Sequence, residues 1–174
     1  MPLFHSLSLQ SLCGIGGFNR LRHCPKTKRN DRRRRNPISM PIAAVTRLRL
    51  RPDAGRMSFF WLSLLSWWQA RQAEGNMGSR IRKATRNEFW TLTVWRDQTT
   101  LMAFVTNGTH RAAMPKLGKW CDESSSARWE LDDIDVPSWH TAMTALGRHG
   151  RVHRVATPSP AQVAGLPLGS RETC

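Results

Sequence analysis

The chain reads as an α+β domain of ferredoxin-like order, βαββαβ, followed by one extra C-terminal helix. Three observations predict this. Residues 42–50 and 88–95 alternate between two faces, as strands do. Each is followed by a helical stretch, and the turn residues Arg51-Pro52-Asp53-Ala54-Gly55 and Asn107-Gly108 punctuate the order. All eight Trp lie between Trp61 and Trp139, which places the core in one block of about residues 40–150.

The elements follow in order. In the first strand Thr46, Leu48 and Leu50 share one face, and Val45, Arg47 and Arg49 the other. Met57–Glu74 reads as a helix of several turns. Phe59, Phe60, Trp61, Leu62, Leu64, Leu65, Trp67 and Trp68 make it apolar nearly all round, which predicts cover on more than one side. Gly75 and Gly78 flank a turn. Ser79–Arg86 reads as a basic strand, and Asn87-Glu88 as a tight connection. In Glu88–Trp95 one face holds Trp90, Leu92 and Val94 and the other Phe89, Thr91, Thr93 and Trp95, so both faces are expected to be buried. Asp97 can cap the next helix through its carboxylate, with Leu101, Phe104 and Val105 at helical spacing. Asn107-Gly108 stops it. Thr109 can cap a further helical segment to Trp120, which Pro115 kinks or delays. Ser124–Leu131 reads as the last strand, with Ala127, Trp129 and Leu131 on one face. Pro137 opens a short helix over 138–148.

This order puts helices on one face of the sheet only. A second copy of the sheet is the simplest cover for the other, so the expectation is a homodimer, with the Phe89 and Trp95 side favoured as the outward one.

Charge sets the ends apart from the core. Residues 1–40 hold nine Lys/Arg against one acid, Asp31, while the remaining 134 residues hold 18 against 11. Residues 1–39 therefore read as a basic arm without core-forming pattern, outside the protein altogether if translation begins at Met40. Its cluster Arg32 to Arg35 offers weak, nonspecific binding of nucleic acid. Residues 151–174, rich in Pro, Gly and Arg, read as a mobile tail. The longest apolar run, between Arg56 and Arg71, is 14 residues, short of the roughly 20 that cross a bilayer. No secretory leader is evident. Cys13, Cys24, Cys121 and Cys174 match no zinc spacing, and reduced thiols in a cytoplasmic protein are the reading.

Several residues carry candidate chemistry. His110 can act as an acid–base near neutral pH or ligate haem, or else bond locally or face solvent. Trp90, Trp95 and Trp67, with Phe104 and Met114, can wall a pocket for a flat apolar substrate; each also suits the core. Cys121 beside Asp122 and Glu123 is expected to be a poor nucleophile. Asp132, Asp133 and Asp135 lack the Gly and trailing Glu of a calcium loop and read as a solvated turn, so no metal site is assigned. Arg80, Arg82 and Arg86, with Arg47 and Arg49, could bind an anion or nucleic acid. The RNA-recognition module has the same element order, but its first-strand aromatics and its Gly-rich third strand are missing here.

Phe89-Trp90-Thr91-Leu92-Thr93-Val94-Trp95-Arg96-Asp97, then Phe104, then Gly108-Thr109-His110-Arg111-Ala112-Ala113-Met114 resemble the antibiotic-biosynthesis-monooxygenase-like superfamily of dimeric α/β barrels. Within it the chain is similar to uncharacterised bacterial proteins grouped with spheroidene monooxygenase, which share a Trp-Cys-Asp-Glu stretch, here Trp120 to Glu123. The resemblance spans roughly residues 40–158. It implies a pocket between helices and sheet, and oxygen insertion into a conjugated or aromatic substrate, with His110 orienting or protonating. The haem-degrading branch of that superfamily would place Thr46, Phe104 and Met114 where it uses Asn, Trp and a ligand His. All three depart from its pattern, so the cofactor is either haem held in another way or none. A non-catalytic ligand-binding or dimerisation protein on the same fold is the second reading, and a basic nucleic-acid-associated protein the third.

Overall fold

The structure, a computed structural model, describes residues 40–165. The basic arm 1–39 and the end of the tail, 166–174, lie outside the described residues. Nine-residue β1 (Ile42–Leu50) leads through the Pro-Asp turn into α1 (Arg56–Gln72). Then come β2 (Asn76–Lys83), β3 (Glu88–Trp95), α2 (Gln98–Val105), α3 (Gly108–Trp120) and β4 (Cys121–Glu130). After these follow α4 (Trp139–His149), the two-residue β5 (Arg151–Val152) and the short α5 (Pro160–Val163). The sheet order is β2-β3-β1-β4-β5, antiparallel throughout. This is the expected ferredoxin-like α+β arrangement with its extra C-terminal helix, plus one edge strand.

Local chemistry explains most boundaries. Asp97 caps α2 as expected, its carboxylate accepting from the Thr100 N–H at 2.7 Å. Ser138 caps α4 by accepting from the Thr141 N–H at 3.1 Å. Gly75 turns α1 into β2 with φ of 78°, a conformation that costs glycine nothing. β2 begins three residues earlier than its charge pattern suggests, because Asn76 and Gly78 pair with β3 around a bulge at Met77. The α3 N-cap is Asn107 rather than Thr109, and the helix runs on through Pro115 without a break. Pro115 sits on an exposed face in the third turn, where the one ladder bond it forgoes leaves no buried group unpaired.

Two features of the sheet depart from expectation. Ile42, Ala44, Thr46, Leu48 and Leu50 of β1 lie beside Trp95, Thr93, Thr91 and Phe89 of β3, under α1, α2 and α3. The Phe89 and Trp95 side is therefore the helix-covered face, not the outward one; Trp95 is fully buried. The second face is not bare either. Val45, Trp90, Leu92 and Ala127 pack beneath Ala142 and Leu146 of α4, with Val136, Trp139 and Met143 around them. The extra helix supplies the cover that the helix-on-one-face reading assigned to a second copy.

Residues 151–165, expected to belong to a mobile tail, are docked on the domain. β5 pairs with Ser125 and Ser126. Val155, Ser159 and Gln162 are buried, and the Gln162 side chain accepts from the Ser124 N–H and donates to the His153 carbonyl at 2.6 Å. Composition misleads here because Pro and Gly mark turns as readily as disorder.

Helix α1 departs in the other direction. Only Phe59 and Ala70 are buried. Its inward stripe, at helical spacing, is Phe59, Ser63, Ser66 and Ala70, while Met57, Phe60, Trp61, Leu64, Leu65 and Trp68 are exposed to solvent. The helix is apolar outside and carries serines inside.

Candidate functional site

The face beneath α1, α2 and α3 is divided. At one end Ile42, Trp95, Leu101, Phe104 and Ala70 form an apolar cluster; at the other Leu48, Leu50, Phe59, Cys121 and Val155 form a second. The rows between them hold small or hydroxyl side chains: Ala44 beside Thr93, and Thr46 between Thr91 and Ser126. All five are only partly buried. Above these rows α1 contributes Ser63 and Ser66 between its two buried anchors. A helix–sheet interface normally closes with branched aliphatic residues, and this one has hydroxyls on both layers.

Among the described residues, two donors at this level have no partner. The Ser66 hydroxyl and the Trp67 indole N–H are buried and unpaired. Leaving such a group unmatched costs about 1–3 kcal/mol each, and a ligand or water oxygen would relieve the cost. Trp67 is half-buried, its ring covered by the Arg71 guanidinium 4.9 Å from the centroid.

His110 borders the same layer at the first apolar cluster. Its ring packs against Phe104 with centroids 4.6 Å apart, and Phe104 stacks on Trp95 at 5.0 Å. Its backbone N–H donates to the Gln69 side chain, which ties the start of α3 to α1. Nδ1 lies 3.3 Å from the Val105 carbonyl. A carbonyl can only accept, so the proton sits on Nδ1 and Nε2 keeps a lone pair. Burial holds the His110 pKa below its ordinary value; the Val105 bond opposes this and the Arg128 charge adds to it. Arg128 acts likewise on His153, after burial, and the His153 Nε2 is 2.7 Å from the Ser126 hydroxyl. The result at neutral pH is an uncharged imidazole beside a polar layer, with a cation near it.

The structure thus brings together His110, Phe104 and Trp95, and places Trp67, half-buried under Arg71, on the flank of the inward stripe of α1. It does not bring Trp90 to them. Trp90 is buried on the opposite face of the sheet, under α4, donating to Glu88 at 2.7 Å with Arg47 over its ring. The alternation of β3 puts it there, since Trp90 and Trp95 are an odd number of residues apart. Met114 lies exposed on α3 and walls nothing. An open groove of about 550 Å³ also runs between α1 and α2 over Trp68, Gln69, Thr100 and Phe104. It is too open to keep water from a reacting centre.

The arginine array of the first two strands is divided as well. Arg47 is buried, and donates to Glu88 at 2.9 Å and to the fully buried Glu123 at 2.7 Å. Arg49 pairs with Asp122 and Glu123. These two are spent on internal carboxylates, which leaves Arg80 and Arg82 without them as an anion surface. Sequence reasoning missed Glu123, because nothing in a Cys-Asp-Glu string distinguishes a buried acid from a solvated one. Burial raises the Cys121 thiol to about 12, with Asp122 adding to it, so this thiol is unreactive at neutral pH. Among the described residues no cluster of His, Cys, Asp or Glu could hold a metal ion, and no helix is long and apolar enough to cross a membrane.

The architecture defines the class, a ferredoxin-like α+β domain with a hydroxyl-lined layer between helices and sheet. The chain belongs to the family described as a domain of unknown function, DUF3291, which matches residues 66–157. Similar solved structures include Rv0793 from Mycobacterium tuberculosis, 18% identical, covering 55% of this chain and 99% of that one with a TM-score of 0.49. SnoaB, a cofactor-independent oxygenase from Streptomyces nogalater, is 11% identical over 57% of this chain and 100% of that one, TM-score 0.46. A conserved protein from Methanosarcina mazei Go1 is 16% identical over 52% and 92%, TM-score 0.48. A comparison with curated proteins finds no match.

Proposed function

We propose that the domain binds a small, flat, conjugated molecule carrying a hydrogen-bond-accepting oxygen, in the layer between α1 and the sheet, and that oxygen insertion is the reaction to test there. The observation that carries this is the unmatched Ser66 Oγ and Trp67 Nε1 on α1, together with the small and hydroxyl side chains of Thr46, Thr91, Thr93 and Ser126 on the middle rows of the sheet. A carbonyl or quinone oxygen would satisfy either donor, and the flanking clusters around Trp95 and Phe104 and around Phe59 and Phe89 would hold the apolar ends. The likeness of Phe89 to Met114 to spheroidene-monooxygenase-like proteins points to the same substrate class.

His110 is the base in this reading. Its neutral Nε2 can take a proton from an acidic phenol or α-carbonyl CH2 of the substrate; the electron-rich anion then reduces dioxygen, one oxygen atom ending as a new carbonyl in place of the CH2 and the other leaving as water with its two hydrogens. Haem does not fit the ligand set. Phe104 is stacked between Trp95 and His110, Met114 faces solvent, and Thr46 offers only a hydroxyl.

The test is titration of the protein with a hydroxylated polycyclic ketone, followed by tryptophan fluorescence and by oxygen consumption. Binding should weaken about tenfold in Ser66→Ala and in Trp67→Phe, one lost hydrogen bond each. His110→Ala should bind normally and consume no oxygen. Unchanged affinity in both donor variants would remove the site. Binding without oxygen uptake by the native protein would leave a ligand-binding domain and remove the reaction.

A further inference from the structure

We infer that the outer face of α1 is the contact between two copies of this chain, packed as an antiparallel α1–α1 pair about a two-fold axis. The six exposed apolar side chains are Met57, Phe60, Trp61, Leu64, Leu65 and Trp68, each showing between 38 and 69% of its surface. With roughly 150–250 Å² in each aromatic, the stripe offers on the order of 700 Å², close to the roughly 800 Å² each partner buries in a stable complex. Met57, Trp61, Leu64 and Trp68 follow the four-three-four spacing of a helix-pairing seam, with Phe60 and Leu65 beside it.

The pattern is self-complementary, which argues for a second copy over any other occupant. A two-fold axis through the middle of the helix, between Leu62 and Ser63, sets Met57 against the partner's Trp68, Phe60 against the partner's Leu65 and Trp61 against the partner's Leu64. Each large ring meets an unbranched or aliphatic side chain, so the two surfaces interdigitate without an aromatic meeting its own image. A membrane-surface helix would instead flank its apolar face with free cations. α1 contains two, and both are engaged: Arg56 donates to the Asn87 side chain, and Arg71 lies on the Trp67 ring. This contact is independent of the inner layer, since the six residues point away from it.

Sedimentation of the full chain tests it. A dimer is expected at micromolar concentration. Trp61→Glu and Leu64→Lys should each give a monomer with unchanged circular dichroism, because both sites are solvent-exposed in one copy. The double variant W61E/L64K sets Glu against Lys at both symmetric contacts and should restore the dimer, with an affinity that falls as salt is added. A native chain that is monomeric throughout, a dimer indifferent to Trp61→Glu, or a double variant that stays monomeric would overturn the proposal. So would a monomer that sediments with phosphatidylserine vesicles and is released by Trp61→Glu.

Discussion

Glu123 is a carboxylate that solvent does not reach, held by Arg47 at 2.7 Å, by Arg49 at 2.8 Å and by the Ser159 hydroxyl at 2.8 Å. Taking those charges out of water is repaid only while every partner is in place. Glu123→Ala leaves two arginines facing each other and should cost about 3–5 kcal/mol, measured by urea unfolding. A loss under 1 kcal/mol would show that water reaches the cluster. His110 supplies a second residue-scale expectation. Its folded pKa lies below its ordinary value because of burial. The unfolded chain therefore takes up a proton at about pH 6.5, while the folded one resists until lower pH. Stability from this group is present above pH 6.5 and is lost as the pH falls through the folded value. Melting curves from pH 7.5 to 5 should decline, and less steeply in His110→Gln; parallel curves would contradict the burial. The candidate residue His110 was legible because a histidine after a Gly-Thr turn is visible in the string. Glu123 was not, because burial is a property of what lies across the sheet.

Packing between elements decides where the chain tolerates a side chain. β2 passes so close to the α4 connection that a Cβ on Gly78 would overlap Val136 Cγ2. Val136 is itself packed against the Trp90 cluster and cannot withdraw freely. Gly78→Ala should destabilise by about 1–3 kcal/mol through overpacking, and pairing it with Val136→Ala should recover part of the loss in a double-mutant cycle. Additive effects would place the two residues out of contact. The strands were readable at this scale because their period is two. α1 was half-readable: its length and limits came from the apolar run and the glycines. Its orientation did not, because a helix apolar nearly all round has no preferred side. The neighbours chose, and they turned Ser63 and Ser66 inward.

Across the whole molecule, the described core runs from Ile42 to Gln162 and closes both sheet faces. β1 is the central strand, bonded on both sides, and it begins just after Met40. A chain starting at Met40 should therefore melt within a few degrees of the full one, by calorimetry. A large loss would mean that residues 1–39 contribute to the core. Removing residues 151–174 should have the opposite outcome. It takes away Val155, Ser159 and Gln162, and with them a hydrogen bond to Glu123. The sheet edge at β4 would open, and the midpoint should fall by roughly 3–10 °C, as the loss of one or two kcal/mol implies for a domain of this size.

Element order, strand alternation and the helix cap at Asp97 are local matters, settled by residues within a few positions of one another, and the sequence by itself determined them. It also determined which residues share a face: Trp90 with Leu92, and Phe89 with Trp95. Which of those faces meets α1 to α3 and which meets α4 was decided only by the tertiary structure. So were the docking of residues 151–165, the burial of Glu123 and the outward apolar side of α1. The physical reason is common to all four. Each depends on a surface contributed from tens of residues away, and a stretch of sequence carries its own periodicity but not the identity of what will cover it.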